Sequence, residues 1–151
     1  MANTQAMCTS FKGEILSGIH ALGTTVIRAG TGADTLKAAL YLASATVNAA
    51  TTAYSVTGEV SGSGYSAGGI TVTNATAPTT SGTTAYWTPS ASFTYTSVTL
   101  TTAFDAVLVY NSTQSNKAIS VHTFGSQTIT AGTFTLTMPT SDATNALIRI
   151  A

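Results

Sequence analysis

The sequence predicts an all-β fold, either an antiparallel β-sandwich or a jelly-roll-like barrel, with one short N-terminal helix. Three observations support this prediction. Apolar and β-branched runs of strand length recur along the chain, separated by clusters of Gly, Ser, Thr and Asn. Over residues 133–138 apolar residues alternate strictly with threonine, as in a strand with one buried face. Only residues 10–23 show helical spacing of apolar side chains.

The two most apolar runs predict a central β-hairpin. Residues 104–110 are the most hydrophobic and β-branched run, residues 111–116 are a polar break, and residues 117–124 alternate again. The first run is apolar at odd and even positions, which is typical of a strand covered on both faces. One face would hold Phe104, Ala106, Leu108 and Tyr110, and the other Val107 and Val109.

The N-terminal helix is predicted over residues 10–23. Phe11, Ile15, Ile19 and Leu22 recur at helical spacing. Two internal glycines weaken this helix by about 1 kcal/mol each, so it needs packing to hold it. We expect it to cover an open end of the sheet, and the alternative is contact with a neighbouring subunit. Phe11, Ile15 and Ile19 are therefore candidate interface residues.

Residues 35–45 are compatible with a strand or a helix. Leu36, Ala38, Leu40 and Leu42 form an unbroken apolar face at strand spacing, although this stretch also contains good helix formers. We predict a strand.

The remaining strands are predicted from short alternating runs. They are residues 54–60, 70–74, 85–88 with Trp87, 93–100, 133–138 and 147–150. Residues 75–84 are predicted to be a loop. The apolar parity changes near Thr96 and Ser97, which predicts a β-bulge there. Pro139 ends the strand 133–138.

These elements predict one domain over residues 10–151, preceded by a flexible arm over residues 1–9. Cys8 is the single cysteine, so the chain has no internal disulfide, and we expect a stray thiol in the arm. The predicted core and structural residues are Phe104, Leu108, Phe134, Leu136 and Met138.

Charged residues are scarce. Lys and Arg number 5, Asp and Glu number 5, and together they are 7% of the 151 residues, against about a quarter in an average soluble domain. The cations are scattered singly, which excludes nucleic-acid binding through clustered phosphate contacts. No apolar run approaches the ~20 residues of a membrane span. A surface of Thr, Ser, Ala and Gly suits a subunit that packs against others, because few charges need desolvation.

The reactive side chains form no recognisable catalytic or metal-binding motif. His20 and His122 are the only histidines, and a metal site needs three or more convergent ligands. Asp105 and His122 lie in one hairpin and could form a triad with a serine, but a cross-strand polar pair is commoner. The five acids are not grouped in the sequence. We therefore expect no enzymatic activity, no cofactor and no metal.

Two further features have simpler structural explanations. The glycine-rich stretch 58–69 lacks the following helix and the lysine of a phosphate-binding loop, so we predict a flexible hairpin loop. Trp87, Tyr86, Tyr95 and Tyr65 could form a sugar-stacking platform, but core or edge packing is the commoner role of aromatic residues. Tyr65 and Trp87 are also candidate interface residues.

Three segments together resemble a family of small virion proteins from tailed bacteriophages. They are residues 11–20 (FKGEILSGIH), residues 34–41 (DTLKAALY) and the loop 54–69 with its core TGEVSGSGYSAGG. Residues 106–111 (AVLVYN) and 147–150 (LIRI) fit the same pattern.

The resemblance implies a non-enzymatic, β-rich structural protein present in many copies in the virion. Its expected place is the outside of the head, as a decoration or cement protein. Its expected partners are the major capsid protein and copies of itself, in a homo-oligomer. One alternative is a tail, neck or fibre-adaptor component. An alternative of another class is a carbohydrate-binding β-sandwich that aids host attachment.

Overall fold

The computed structural model describes residues 3–8, 11, 15, 19–24, 33–74 and 76–151. This part of the chain is nearly all β, which confirms the predicted class, and its strands pair antiparallel. The strands are β1 (Ala6–Met7), β2 (Leu36–Leu42), β3 (Ile70–Thr71), β4 (Thr79–Ser81), β5 (Thr84–Trp87), β6 (Phe93–Asn111), β7 (Lys117–Leu136) and β8 (Ile148–Ile150).

Two sheets organise these strands. The larger has the order β1-β7-β6-β2-β3, and the smaller has the order β4-β5-β8. The predicted central hairpin is confirmed, because β6 and β7 pair along their length and β6 occupies the middle of the larger sheet. Residues 106–111 of β6 are all buried, as expected for a strand covered on both faces.

The β6–β7 hairpin is bent back on itself. Phe134 lies opposite Tyr95 in the ladder, whereas Phe104 lies opposite Gln127, so the two phenylalanines are far apart along the strands. Their ring centroids are nevertheless 5.1 Å apart, and Phe124 packs against both rings. Register shifts at several points of the ladder permit this bend. The outer half of the hairpin (residues 93–103 and 124–136) therefore packs onto its inner half (residues 104–111 and 117–123).

The core lies between these two halves. Phe104 and Leu108 are completely buried, Phe134 is nearly so, and Leu136 and Met138 pack partly buried against the same cluster. The hydroxyl of Tyr95 donates a hydrogen bond to the carbonyl of Ala38 at 2.8 Å, which ties the outer half to β2. The predicted alternation over residues 133–138 holds, since the threonines are exposed and the apolar residues point inward.

Several local predictions are confirmed. Residues 36–42 form a strand, and Trp87 and Ile148 lie in paired strands. The predicted bulge is present, because the register shifts between Tyr95 and Val98 and Ser97 has a φ of 55°.

Other local predictions are wrong. Residues 54–60 form no strand, and the backbone of this region pairs with the sheet in isolated bridges instead of a continuous ladder. The predicted strand 70–74 is reduced to Ile70–Thr71. Residues 79–81 form a strand where the sequence predicts a loop, because Gly82 supplies the positive φ of a tight turn that pairs β4 with β5.

The N-terminal segment lies against the sheet where it is described. Ala6 and Met7 pair with β7, and Asn3 hydrogen-bonds to the backbone at Leu42 and Val47. Cys8 is completely buried rather than a stray exposed thiol. The predicted helix 10–23 falls mostly outside the described residues, and no helix is seen among the described elements.

Candidate functional site

The most organised polar site in the described part of the chain surrounds the side chain of Glu59. The hydroxyl of Tyr54 donates to its Oε2 at 2.6 Å, and the hydroxyl of Tyr65 donates to its Oε1 at 2.7 Å. The backbone N–H of Gly68 donates to the same Oε1 at 2.8 Å. Only 7% of Glu59 is exposed. A buried carboxyl group is therefore satisfied by three donors that all come from its own loop.

Further tyrosines tie this loop to the sheet. The hydroxyl of Tyr65 also accepts a hydrogen bond from the N–H of Leu40 in β2, at 3.0 Å. The hydroxyl of Tyr110 in β6 donates to the carbonyl of Gly68 at 2.8 Å. The rings of Tyr54 and Tyr110 stack with centroids 4.7 Å apart. Side chains thus fasten the loop 54–69 to two strands, in addition to the isolated backbone bridges of Glu59 with Tyr41 and of Ser63 with Thr99.

Burial raises the pKa of these phenols above the ordinary value of 10. It raises the pKa of Tyr41 to about 12, and it raises the pKa of Tyr54, Tyr65 and Tyr95 further still. Hydrogen bonds to Glu59 add to the rise at Tyr54 and Tyr65. The hydroxyls are therefore permanent donors at physiological pH. They serve as donors that fasten the loop to the sheet.

Glycines bring the same loop into backbone contact with the sheet. An added Cβ at Gly62 would lie 2.0 Å from the carbonyl oxygen of Thr99, and one at Gly64 would lie 2.2 Å from that of Ser97. Ser63 also accepts a backbone hydrogen bond from Thr99 at 2.8 Å. Residues 58–69 are a loop, as predicted, but the loop packs against the sheet: these glycines permit close approach of its backbone.

His20 belongs to a second polar cluster, at the turn end of the β6–β7 hairpin. The amide of Asn111 lies 3.1 Å from His20 Nδ1 and donates to Asp34 Oδ2 at 2.8 Å. The N–H of Ala21 also donates to Asp34 Oδ2, and Gln114 donates to Oδ1. The cluster joins residues 20–21 and 34 to the end of the sheet, and no hydroxyl or thiol nucleophile takes part in these contacts.

His122 lies in β7, and its contacts are not those of a catalytic triad. Its Nε2 lies 2.8 Å from Ser120 Oγ, while its cross-strand partner in β6 is Val107 rather than Asp105. Asp105 instead accepts a hydrogen bond from the amide of Asn3. Ser120 is only 1% exposed, so a substrate could not reach its hydroxyl. The predicted cross-strand pairing of Asp105 with His122 is therefore wrong as well.

Because His122 is desolvated in the folded chain, we expect the free energy of unfolding to fall at acidic pH. Desolvation lowers the pKa of this imidazole from 6.5 to about 4. Between these values the unfolded chain binds a proton that the folded chain does not, so folding weakens as the pH falls below 6.5. At pH 4 the expected loss is about 3 kcal/mol relative to neutral pH.

Urea unfolding followed by fluorescence across this pH range measures that loss. His122→Gln keeps a side chain able to hydrogen-bond Ser120 but does not titrate, so it should flatten the profile between pH 6.5 and 4. An unchanged profile in this variant would show that another group is responsible.

A cleft of about 400 Å³ opens beside His122. Met7, Met138, Leu147 and Arg149 contribute to its walls. The guanidinium of Arg149 donates to the carbonyl of Ala143 at 3.4 Å. The walls of the cleft mix polar and apolar side chains, and the buried Ser120 is not among its lining residues. It offers no accessible pairing of nucleophile and base.

The aromatic residues considered for sugar stacking do not form one platform. Trp87 is 2% exposed, and its Nε1 donates to the carbonyl of Thr76 at 3.2 Å. Tyr65 and Tyr95 stack on each other in the loop site, with ring centroids 5.9 Å apart. Trp87 is thus a core residue, as is the completely buried Phe11, so neither is available as a surface contact. Ile15, Ile19 and Tyr65 are half-buried.

The outer half of the hairpin carries a row of exposed threonines. Its outward side carries five exposed threonines, here called the threonine face: Thr94, Thr96, Thr133, Thr135 and Thr137. Thr94 and Thr135 are cross-strand partners, and their hydroxyl oxygens are 3.4 Å apart. Residues 93–104 and 123–138 contain no Asp, Glu, Lys, Arg or His. The threonine face is therefore polar, uncharged and carried by the paired outer half of the hairpin.

No protein-family model, curated protein or solved structure matches this chain. Within the described ranges, no group of three or more His, Cys, Asp and Glu side chains is placed to hold a metal ion. The described residues also include no helix with the length and apolarity needed to cross a bilayer.

Sequence reasoning located the threonine alternation but missed the site around Glu59. In the sequence Glu59 is one of five dispersed acids. The pattern predicts a strand position for Tyr54 and a surface position for Tyr65. One signal was present: an acid sits between tyrosines in a glycine-rich segment that has no cation. A lone carboxyl group among hydroxyl donors and glycines is the composition of a satisfied buried acid.

Proposed function

We propose that this protein is a non-enzymatic structural component of a tailed-phage particle, a decoration or cement protein that binds the major capsid protein lattice on the head. The observation that carries the proposal is the threonine face, an uncharged surface displayed on the paired outer half of the hairpin. The family resemblance of the loop 54–69 and of the strands around it supports the same assignment.

The chemistry of the threonine face suits docking on a repetitive protein surface. Hydroxyl groups can donate and accept hydrogen bonds with any backbone, and they cost much less to desolvate than charges. Four threonines in two paired strands, with Thr137 just beyond the end of β7, present such groups with little side-chain entropy to lose. A lattice that offers many identical sites would convert weak single contacts into strong overall retention.

The bend of the hairpin supports a sandwich-like architecture for this role. The outer half packs on the inner half through Phe104, Phe124 and Phe134, which would make the two halves the layers of an antiparallel β-sandwich. The fastening around Glu59 holds the loop 54–69 against β2 and β6. A contact surface supported in this way is preorganised, so little binding energy is lost in ordering it.

The proposal is tested by adding the purified chain to expanded capsid shells that lack it and to unexpanded shells, followed by sedimentation and quantitative gel analysis. We expect saturable binding to expanded shells only. Thr94→Lys should reduce this binding at least about tenfold, because it places an unpaired charge in the centre of the threonine face. Thr83→Lys is the matched control: it makes the same change at an exposed residue of the β4–β5 turn and should leave binding unchanged.

Copy number in purified particles provides a second readout. Hundreds of copies per particle would agree with a head lattice, whereas about a dozen or fewer would indicate a ring-like tail or neck component. Absence from the particle, or equal loss of shell binding in Thr94→Lys and Thr83→Lys, would contradict the proposal.

A further inference from the structure

The outer edge of β7 has an open stretch. On its inner side β7 pairs with β6, and on its outer side β1 pairs with it at Ser120 and Val121. Beyond Val121, the described residues supply no strand to the outer side of β7. The backbone N–H and C=O groups that point outward there need a partner from water or from another strand.

The usual protections of an edge strand are missing from the last part of this stretch. Edge strands are commonly protected by lysines, prolines or inward-pointing charges, and residues 132–138 contain none of these. A bulge at Ala131, which has a φ of 46°, bounds this segment on one side, and Pro139 bounds it on the other. β7 itself ends at Leu136, and residues 137–138 continue its alternation of exposed and partly buried side chains. Within the described part of the chain, no strand pairs with the outer side of residues 132–138.

We propose that residues 132–138 pair antiparallel with the same segment of a second copy of this chain. The absence of charge makes the segment electrostatically complementary to itself, because a two-fold axis brings no like charges together. The inference does not depend on a role in a phage particle.

The boundaries of the segment also set the register of the pairing. Thr135 is the midpoint of residues 132–138, so a two-fold axis at that midpoint places Thr135 opposite Thr135 of the second copy. Thr133 then lies opposite Thr137 of the second copy. Because these threonines share the exposed side of the ribbon, the threonine faces of the two copies become one continuous surface.

Cysteine cross-linking tests this register in the full-length chain. Thr135→Cys should form a disulfide-linked dimer under mild oxidation, because its partner is the same residue of the second copy. Thr133→Cys alone should not cross-link, but a mixture of Thr133→Cys and Thr137→Cys chains should. The native Cys8 is completely buried, so the unsubstituted chain should remain uncross-linked under the same conditions.

Thr94 provides a matched control for the edge. It is exposed on the same face and lies directly opposite Thr135, but it belongs to the interior strand β6. In sedimentation velocity, Thr135→Lys should weaken the dimer at least about tenfold through like charges placed opposite each other. Thr94→Lys should leave the dimer nearly unchanged while it reduces shell binding, so that failure of this inference and failure of the proposed function are distinguishable.

Two results would overturn the inference. One is a chain that stays monomeric up to about 100 μM, well above the weak end of specific association. The other is a dimer that Thr94→Lys and Thr135→Lys weaken equally, or in which Thr94→Cys cross-links as well as Thr135→Cys. Circular dichroism of each variant establishes that it remains folded.

Discussion

Replacing Gly69 with alanine is expected to destabilise the fold by about 3–5 kcal/mol. The added Cβ would lie 1.8 Å from the carbonyl oxygen of Ala38 and 2.7 Å from the Cα of Ala39, and both atoms belong to the backbone of β2. Gly69 also has a φ of 69°, which L-residues adopt at a cost. Neither the strand nor the loop can relieve the overlap by rotating a side chain, so one of them must shift.

Gly82→Ala separates the two costs. Gly82 has a similar φ of 57°, but no atom lies within 4 Å of an added Cβ. Its substitution should therefore cost only about 1 kcal/mol, the penalty of the backbone conformation. Chemical denaturation of both variants gives the difference in unfolding free energy. If the two variants were equally stable, the loop would not be held in contact with β2.

The strands that sequence reasoning placed correctly share one property: their pattern is local. Residues 104–110 and 117–124 are long apolar runs separated by a polar break, and the parity change near Ser97 marks a bulge within one strand. In such cases the alternation of apolar and polar residues indicates directly which side chains are buried. The same reasoning applies to residues 133–138, where exposed threonines alternate with inward-facing apolar residues.

The bend of the hairpin could not be predicted from that period. A one-dimensional pattern shows that Phe104, Phe124 and Phe134 face inward, but it does not show that they face one another. The contact results from register shifts in both strands, and such shifts depend on the pairing partner as well as on the local sequence.

The loop 54–69 was misjudged because glycine permits two opposite outcomes. Glycine increases the entropy of an unrestrained loop, and it also allows a backbone to approach closer than any side chain would permit. Gly62 and Gly64 take the second role here, and only the atoms of β6 beside them reveal it. The hydroxyl groups that hold the loop belong to Tyr54 and Tyr65. The sequence pattern predicts a strand position for Tyr54 and a surface position for Tyr65.

The candidate chemistry shows how proximity in sequence can mislead. Asp105 and His122 lie in one hairpin, yet the register places Val107 opposite His122 and Asn3 beside Asp105. Ala106 lies opposite Thr123 in the same register, so Asp105 is two residues out of line with His122. The exposed threonines, by contrast, follow from the two-residue period of a strand alone. The polar clusters depend on contacts between distant segments, so the sequence does not predict them.

Replacing Glu59 with alanine is expected to cost about 4 kcal/mol of folding stability. The substitution removes the acceptor of three hydrogen bonds, from Tyr54, Tyr65 and the N–H of Gly68. The Gly68 donor is buried and can find no replacement without loop movement, and the lost side chain also leaves a cavity. Glu59→Gln keeps one oxygen acceptor at nearly the same volume and should cost about half as much.

A double-mutant cycle distinguishes a network from three separate bonds. If Glu59 and Tyr65 stabilise the loop together, the cost of Glu59→Ala plus Tyr65→Phe should fall short of the sum of the single costs by about 1 kcal/mol or more. Hydrogen exchange adds a local readout, because the Gly68 amide donates to the carboxyl group and should lose protection in Glu59→Ala while the Leu108 amide in the central strand keeps it. Additive costs with an unchanged Gly68 amide would mean that glycine contacts alone hold the loop. Gly69→Ala disturbs the close contact of the loop backbone with β2, and Glu59→Ala removes the acceptor shared by the three donors. If the Gly68 amide loses protection from exchange in both variants, the loop needs both the close backbone contact and the buried carboxyl group.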